Sequence, residues 1–303
     1  MSARPFRIAS IDDIRSDFPC FERVHPAGPV AWFDGPGGTQ VPARVAEAMT
    51  DYLLHHNANT HWAYASSAET DAMLAEARQA LADFLCCDPA EVVFGANMTS
   101  LTYHLSRAVG RALQPGDEVI VTRLDHQANV APWHDMARDV GAVVREIPFD
   151  VTTGQLRLDR FFDALGERTR VVALGAASNA LGTVTDVAPL ISAARAVGAF
   201  TFVDAVHFAP HERVDVRALG CHALGCSPYK FYGPHLGCLY IDAHPLARLD
   251  IPRLPCAGDA GGERLETGTL SHEAIVGAAA AVDWLASLAR RGDGGAGGAG
   301  FGA

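Results

Sequence analysis

Short runs of apolar residues alternate with helical segments along most of this 303-residue chain. Each run is brief and ends in polar or turn-forming residues, which is typical of a buried β-strand. The chain is therefore predicted to form an α/β fold, with a mostly parallel sheet and helices on both faces. The predicted strands are residues 92–94, 119–122, 143–147, 171–174, 200–203, 223–226 and 238–241.

Helical spacing of apolar residues and helix-start signals predict the segments that connect these strands. With 49% apolar side chains, the chain can also bury one large core or two smaller ones. Three regions are expected: an N-terminal arm at residues 1–30, a large domain at 31–290, and a glycine-rich flexible tail at 291–303. The predicted helices are residues 68–84, a segment from about 99, a segment from about 129, residues 187–197 and residues 271–288.

The formal net charge of −11 argues against nucleic acid and against anionic membranes as partners, because both attract basic surfaces. Residues 1–17 contain no apolar segment of the kind found in secretory signals. The longest apolar run, residues 274–282, is too short to span a bilayer. A cytoplasmic protein is therefore expected.

The seven cysteines are odd in number and form no Cys-x-x-Cys pair, so neither a disulfide framework nor a zinc site is expected. Cys226 and Cys238 lie in apolar segments, where a cysteine usually serves as a small hydrophobic side chain. Cys256 lies among prolines and glycines and is the cysteine predicted to be most exposed.

Lys230 is the only lysine of the chain, although lysine and arginine together number 24. Arginine stays protonated, whereas a lysine amine can lose its proton and attack a carbonyl carbon. A chain that uses arginine for every other cation, yet keeps one lysine, suggests a site that requires an amine.

Polar residues follow several predicted strands, at the edge where open α/β sheets bind ligands. Asp204 ends an apolar strand, where a carboxylate needs a cationic partner, and the ring nitrogen of pyridoxal phosphate is such a cation. His207 could bond the phenolic oxygen of that cofactor. His126 offers a flat ring for stacking, and Asn179 could face the ring oxygen or a substrate.

Two further segments could hold a phosphate. Met98 and Thr99 open a predicted helix, where backbone N–H groups and the Thr99 hydroxyl can bind an anion. Ser227 and Tyr229 supply two hydroxyls beside the amine of Lys230. Taken together with the polar residues at the other strand ends, these groups describe a pyridoxal-phosphate site.

The residues between about Trp32 and Ala281 resemble the cysteine desulfurases and selenocysteine lyases, relatives of the class V aminotransferases with pyridoxal-phosphate fold type I. The resemblance rests on several short motifs. They are Phe-Asp-Gly-Pro-Gly-Gly-Thr at 33–39, Asn-Ala-Asn-Thr-His at 57–61, His-Gln-Ala-Asn at 126–129 with Pro-Trp at 132–133, Ser-Asn at 178–179 with Leu-Gly-Thr at 181–183, Val-Asp at 203–204 and Lys-Phe-Tyr-Gly-Pro at 230–234.

The resemblance implies a role for each matching residue. Lys230 would form the Schiff base with the cofactor, Asp204 would contact the pyridine nitrogen, and His126 would stack on the ring. Asn179 would lie near the ring oxygen. The resemblance also implies a homodimer, in which Thr269 reaches the phosphate of the partner subunit; the residues implied around the phosphate are Thr99, Ser227 and Tyr229.

The chain departs from the desulfurase pattern at several positions. His207 replaces a common glutamine, Tyr229 replaces a histidine, and Met98 replaces the first threonine of a phosphate-binding pair. Family members normally continue into a small C-terminal domain with a carboxylate-binding arginine and, in desulfurases, a sulfur-accepting cysteine. This chain ends in glycine-rich sequence before reaching them, so it is expected to bind cofactor but turn over cysteine slowly.

Three functions are consistent with these features. The first is a cysteine desulfurase-like lyase that acts on cysteine and passes sulfur to a thiolate or an acceptor protein, with Cys256 as one candidate acceptor. The second is a class V aminotransferase or epimerase acting on another amino acid. The third is a cofactor-binding remnant that serves as a dimer partner or scaffold.

Overall fold

The computed structural model describes residues 8–292, which divide into two compact units. The sheet unit comprises Ala82–Ser227 and Leu236–Leu270. The helical unit comprises Pro228–His235 together with the described residues of Met1–Leu81 and of Ser271–Ala303. Residues 1–7 of the predicted arm and residues 293–303 of the predicted tail lie outside the described residues.

Seven strands form one sheet in the order β1-β7-β6-β5-β4-β2-β3. Strands β2 to β6 pair in parallel, whereas β7 is antiparallel to both β1 and β6. The predicted α/β fold with a mostly parallel sheet is confirmed. The strands are β1 Val92–Gly95, β2 Glu118–Thr122, β3 Val143–Ile147, β4 Thr169–Gly175, β5 Phe200–Asp204, β6 Ala223–Cys226 and β7 Gly237–Ile241.

The predicted helices are present, and their ends follow local capping rules. The helix expected from about Thr99 begins at Met98, because the Asn97 side chain accepts the backbone N–H of Ser100 at 2.8 Å. The helices are α1 Ile11–Ser16, α2 Ala43–Asp51, α3 Ala65–Leu85, α4 Met98–Gly110, α5 Ala131–Val140, α6 Leu158–Ala164, α7 Ala188–Ala196, α8 Val216–Leu219, α9 Ala243–Leu246 and α10 His272–Gly292. Within the described residues, none of these helices is both long and apolar enough to cross a bilayer.

The core of the sheet unit lies between the strands and the covering helices. Trp133 on α5 is fully buried, and its ring lies 5.5 Å from that of Phe202 on β5. Cys226 and Cys238 are also fully buried and oppose each other between β6 and β7. The prediction that these two cysteines serve as small core side chains is confirmed.

In the helical unit, α10 packs against α2 and also contacts the segment around Asp17. The Trp284 indole N–H donates to the Asp17 carboxylate at 2.7 Å, and its ring packs edge-on against Phe18 and Tyr232. Directly after α2 in the chain comes a π-helical turn at Tyr52–His56. Tyr52 is buried, and its hydroxyl lies 3.0 Å from Nδ1 of His272. The sequence analysis did not predict α2 or this turn.

Gly237, the first residue of β7, lies against the backbone of Asn97 at the start of α4. A Cβ at this position would lie 2.6 Å from the carbonyl oxygen of Asn97, a backbone atom that cannot rotate away. We expect Gly237→Ala to lower the free energy of unfolding by about 1–3 kcal/mol. Urea denaturation should show this loss, while Gly166→Ala, where a Cβ would meet no atom within 4 Å, should be nearly neutral.

Candidate functional site

Asp204 lies where the sequence predicted it, at the carboxyl end of a central strand. It is the last residue of β5, its side chain is buried, and Oδ1 accepts the backbone N–H of Val206 at 2.9 Å. Its register partner on β4 is Gly175, also the last residue of its strand. The carboxylate is therefore held at the edge of the parallel sheet.

A second carboxyl group, Asp125, accompanies Asp204 and was missed in the sequence analysis. Its side chain keeps some exposed surface, but burial of the carboxyl group raises the pKa of Asp125 to about 8, and the charge of Asp204 adds to this rise. Hydrogen bonds from Thr122, the backbone of Gly175 and Asn129 act in the opposite direction. The available signal was its position, because Asp125 follows β2 at the same sheet edge.

His126 follows Asp125 and has an exposed side chain. Its Nδ1 accepts the backbone N–H of Ala128 at 3.0 Å. In the neutral ring the proton therefore resides on Nε2, since an acceptor nitrogen carries none. The ring is fixed at its base, while its Nε2–H is directed away from this bond.

The start of α4 presents Thr99 but not the side chain of Met98. Thr99 is exposed, whereas Met98 is buried in the core and accepts a 3.4 Å contact at its sulfur from the Thr102 hydroxyl. Met98 could therefore contribute to an anion site only through its backbone N–H. Ser227, directly after β6, is buried.

The remaining predicted residues of the sheet unit lie in loops. Asn179 is half-buried in a turn closed by a backbone bond from Ser178 N–H to Thr183 O at 2.9 Å. His207 is half-buried, three residues beyond Asp204. Thr269 is exposed and follows Gly268, whose φ of 75° lies in the left-handed region.

Lys230 and Tyr229 belong to the helical unit. Lys230 is 6% exposed, and its amine donates a hydrogen bond to the carbonyl oxygen of Pro36. The amine lies 4.6 Å from the centre of the Tyr229 ring, which stacks on His235. The amine is thus enclosed next to an aromatic face, and it follows Ser227 by three residues along the chain.

Thr39 ties the glycine-rich segment at 33–39 to the backbone on either side of Lys230. Its backbone N–H donates to the Tyr229 carbonyl at 2.9 Å, and its hydroxyl oxygen accepts the Tyr232 N–H at 2.7 Å. Tyr232 has a φ of 70°, an uncommon conformation for a residue with a side chain. These bonds stabilise the turn that positions the lysine.

The structure thus brings Asp204 together with Asp125 at one edge of the sheet unit, and it encloses Lys230 within the helical unit. Among residues 8–292, no cluster of three or more His, Cys, Asp or Glu side chains could hold a metal ion. Within the sheet unit the carboxyl groups suit a cationic group, and within the helical unit the enclosed amine suits a reactive carbonyl.

Residues 31–291 match the family model described as aminotransferase class V. The chain belongs to the class V aminotransferase family. The chain is 34% identical over 290 residues to a probable cysteine desulfurase of Pseudomonas aeruginosa, a match that covers 90% of this chain and 71% of that protein. It is 35% identical over 231 residues to a probable cysteine desulfurase of Mycolicibacterium paratuberculosis, covering 75% of this chain.

The fold also resembles that of a solved cysteine desulfurase from Thermococcus onnurineus, with a TM-score of 0.85 and 27% identity. That likeness covers 95% of this chain and 73% of the solved one, and it confirms the predicted fold type I architecture. The chain spans 34% of the length of the Mycolicibacterium relative.

Thr39 offers a direct test of the turn around Lys230. Replacing it with valine keeps the shape but removes the hydroxyl that accepts the Tyr232 N–H, so we expect Thr39→Val to cost about 1–3 kcal/mol in the free energy of unfolding. Thr39→Ser keeps the hydroxyl and should cost clearly less. Equal losses in the two variants, measured by urea denaturation, would show that this hydrogen bond does not stabilise the turn.

Proposed function

We propose that this chain binds pyridoxal phosphate and forms the cofactor-binding part of a cysteine desulfurase-like enzyme. The observation that carries the proposal is Lys230, the only lysine in the sequence, enclosed beneath a glycine-rich segment with its amine 4.6 Å from an aromatic ring. A lysine amine can attack an aldehyde carbon, which a guanidinium group does not do. The names of the related proteins support the same function.

The residues fit the chemical groups of this cofactor within each unit. Asp204 supplies a buried carboxylate at a strand end, and a negative charge at this position suits the cationic ring nitrogen. The start of α4, with Thr99, and the hydroxyl of Ser227 would hold the phosphate. Once bound, pyridoxal phosphate supplies an electron sink that weakens bonds at the substrate's α-carbon.

Further side chains would orient the ring and move protons. His126 would stack on the ring, with its proton on Nε2 as its hydrogen bonding indicates. Asn179 and His207 would lie near the ring oxygen, and the Tyr229 hydroxyl near the phosphate. Lys230, displaced by the amine of the substrate, would carry the proton from the α-carbon.

Cysteine is the proposed substrate, because two related proteins and a solved relative carry cysteine desulfurase names. The substrate's carbon–sulfur bond breaks as an acceptor thiolate takes the sulfur and becomes a persulfide, while alanine is released. Cys256 is an exposed candidate acceptor, and the Arg253 guanidinium bonds to the loop around it through the Gly258 carbonyl at 3.2 Å. A separate acceptor protein is the alternative.

A homodimer is part of the proposal. Thr269 would reach the partner subunit's cofactor, and an isologous contact would create two equivalent shared sites. Thr269 is exposed, and its segment is attached to β1 because the Phe94 N–H donates to the Glu266 carboxylate at 2.8 Å. The cytoplasmic location stays a prediction.

Covalent trapping tests the role of Lys230. Protein incubated with pyridoxal phosphate should turn yellow, and borohydride should then fix the cofactor to Lys230, which peptide mapping by mass spectrometry would locate. Lys230→Arg should bind the cofactor without this link, because guanidinium does not attack an aldehyde at neutral pH. Modification of no residue, or of the N-terminal amine alone, would contradict the proposal.

Product analysis tests the reaction. With cysteine and a thiol reductant, the loaded protein should release alanine and sulfide in equal amounts, and Lys230→Ala should release neither. Transfer of the amino group to the cofactor with an oxo acid as product would instead indicate an aminotransferase. Loss of sulfide in Cys256→Ser but not in Cys20→Ser would identify Cys256 as the sulfur acceptor.

A further inference from the structure

Gly175 leaves room for the carboxyl group of Asp125 at the end of β4. A Cβ on Gly175 would overlap Oδ1 of Asp125 and lie 3.1 Å from its Cγ. Gly175 is also the register partner of Asp204 on the adjacent strand β5, and neighbouring strands lie about 4.8 Å apart. The Asp125 carboxyl group therefore lies directly beside the strand end that carries Asp204.

A chain of hydrogen bonds fixes the orientation of Asp125. The indole N–H of buried Trp133 donates to Oδ1 of Asn129 at 3.1 Å. Because an indole can only donate, this bond directs the amide nitrogen of Asn129 toward Asp125, whose Oδ2 it contacts at 2.9 Å. Oδ2 therefore accepts a hydrogen bond from Asn129, and this bond fixes the plane of the Asp125 carboxyl group.

The groups around Asp125 come from four elements of the sheet unit. Asp204 on β5 is the charged neighbour that raises its pKa, after burial. Thr122 at the end of β2, the Gly175 backbone on β4 and Asn129 are uncharged donors that favour the ionised form. His126, the adjacent residue, directs its Nδ1 to the Ala128 N–H. Asp125 consequently has a like-charged neighbour but no cationic one among these groups, which favours retention of a proton.

We propose that Asp125 is a positioning residue that holds a proton beside Asp204 and releases it when the ring nitrogen of pyridoxal phosphate docks at Asp204. This inference rests on the proposed function, since it concerns the same cofactor. The carboxyl O–H bond of Asp125 breaks, the proton passes to solvent, and Asp125 remains as a carboxylate. Cofactor binding is thereby coupled to the loss of one proton by the protein.

The direction of the coupling follows from charge. A cation bound at Asp204 attracts a negative charge at Asp125, so bound cofactor favours the ionised form of Asp125. By reciprocity, ionised Asp125 binds the cationic ring more tightly than protonated Asp125 does. This contribution to affinity therefore increases as the pH rises through the pKa of Asp125, about 8 in the protein without cofactor.

The first experiment concerns the protein without cofactor. Carbon-13 labelling of aspartate carboxyl groups allows the titration of Asp125 to be followed by NMR, with Asp125→Asn assigning its signal. We expect a midpoint near 8, and a fall toward the ordinary 3.8 in Asp204→Asn, which removes the like charge and keeps the shape. A wild-type midpoint near 3.8 would overturn the proposal, as would a midpoint that Asp204→Asn does not move.

The second experiment measures protons released as pyridoxal phosphate binds. Calorimetric titration of the cofactor-free protein at pH 7.5, in two buffers of different ionisation enthalpy, gives this number. Asp125→Asn should release fewer protons than the wild type by about half a proton or more. Asp163→Asn, which removes an exposed carboxylate of the same unit, should match the wild type.

Both proteins retain Lys230 and bind the same cofactor, so proton changes from those groups cancel in the comparison. Equal proton release by the wild type and Asp125→Asn would overturn the coupling. Failure of both proteins to bind the cofactor would overturn the proposed function and the coupling together, while the NMR titration would still decide whether Asp125 holds the proton. If Asp125→Asn folds poorly, the Asp125 signal is identified as the wild-type aspartate signal that titrates near 8 and shifts in Asp204→Asn. The absence of such a signal would overturn the proposal.

Discussion

Parallel pairing of β2, β4, β5 and β6 is the constraint on which the candidate site depends. Parallel strands end at the same edge of a sheet, so residues distant in sequence, such as Asp125 after β2 and Asp204 on β5, meet there. The strands themselves are buried on both faces, which leaves little freedom to slide. The position of the carboxyl groups is therefore set by the packing of the sheet, and not by the loops alone.

The close placement of the Asp125 and Asp204 carboxyl groups lowers the free energy of unfolding, although it also provides a place for a cation. The folded chain retains a proton on Asp125 that the unfolded chain loses above its ordinary pKa of 3.8. The folded state is consequently destabilised, relative to acidic conditions, as the pH rises from about 4 toward about 8. Such a cost is tolerated where a cationic ligand reverses it, and functional sites are where such arrangements concentrate.

The sequence predicts the strands well because buried strands are short, apolar and bounded by turns. It also predicts the strand-end position of Asp204 and a buried role for Cys226. It does not predict that β7 runs antiparallel, since direction depends on pairing and not on composition. Asp125 and the burial of Met98 were missed for a similar reason: both depend on the space around Gly175 and Gly225, where a missing Cβ admits a neighbouring side chain.

The hydrogen-bonded chain from Trp133 through Asn129 to Asp125 has an optical consequence. Indole emission responds to the local electric field, and Trp133 is fully buried, so solvent does not mask that response. A change of charge two hydrogen bonds away alters the field along this chain. The core of the protein thus contains an intrinsic fluorescent reporter of events at the sheet edge, in a position that no added dye could occupy.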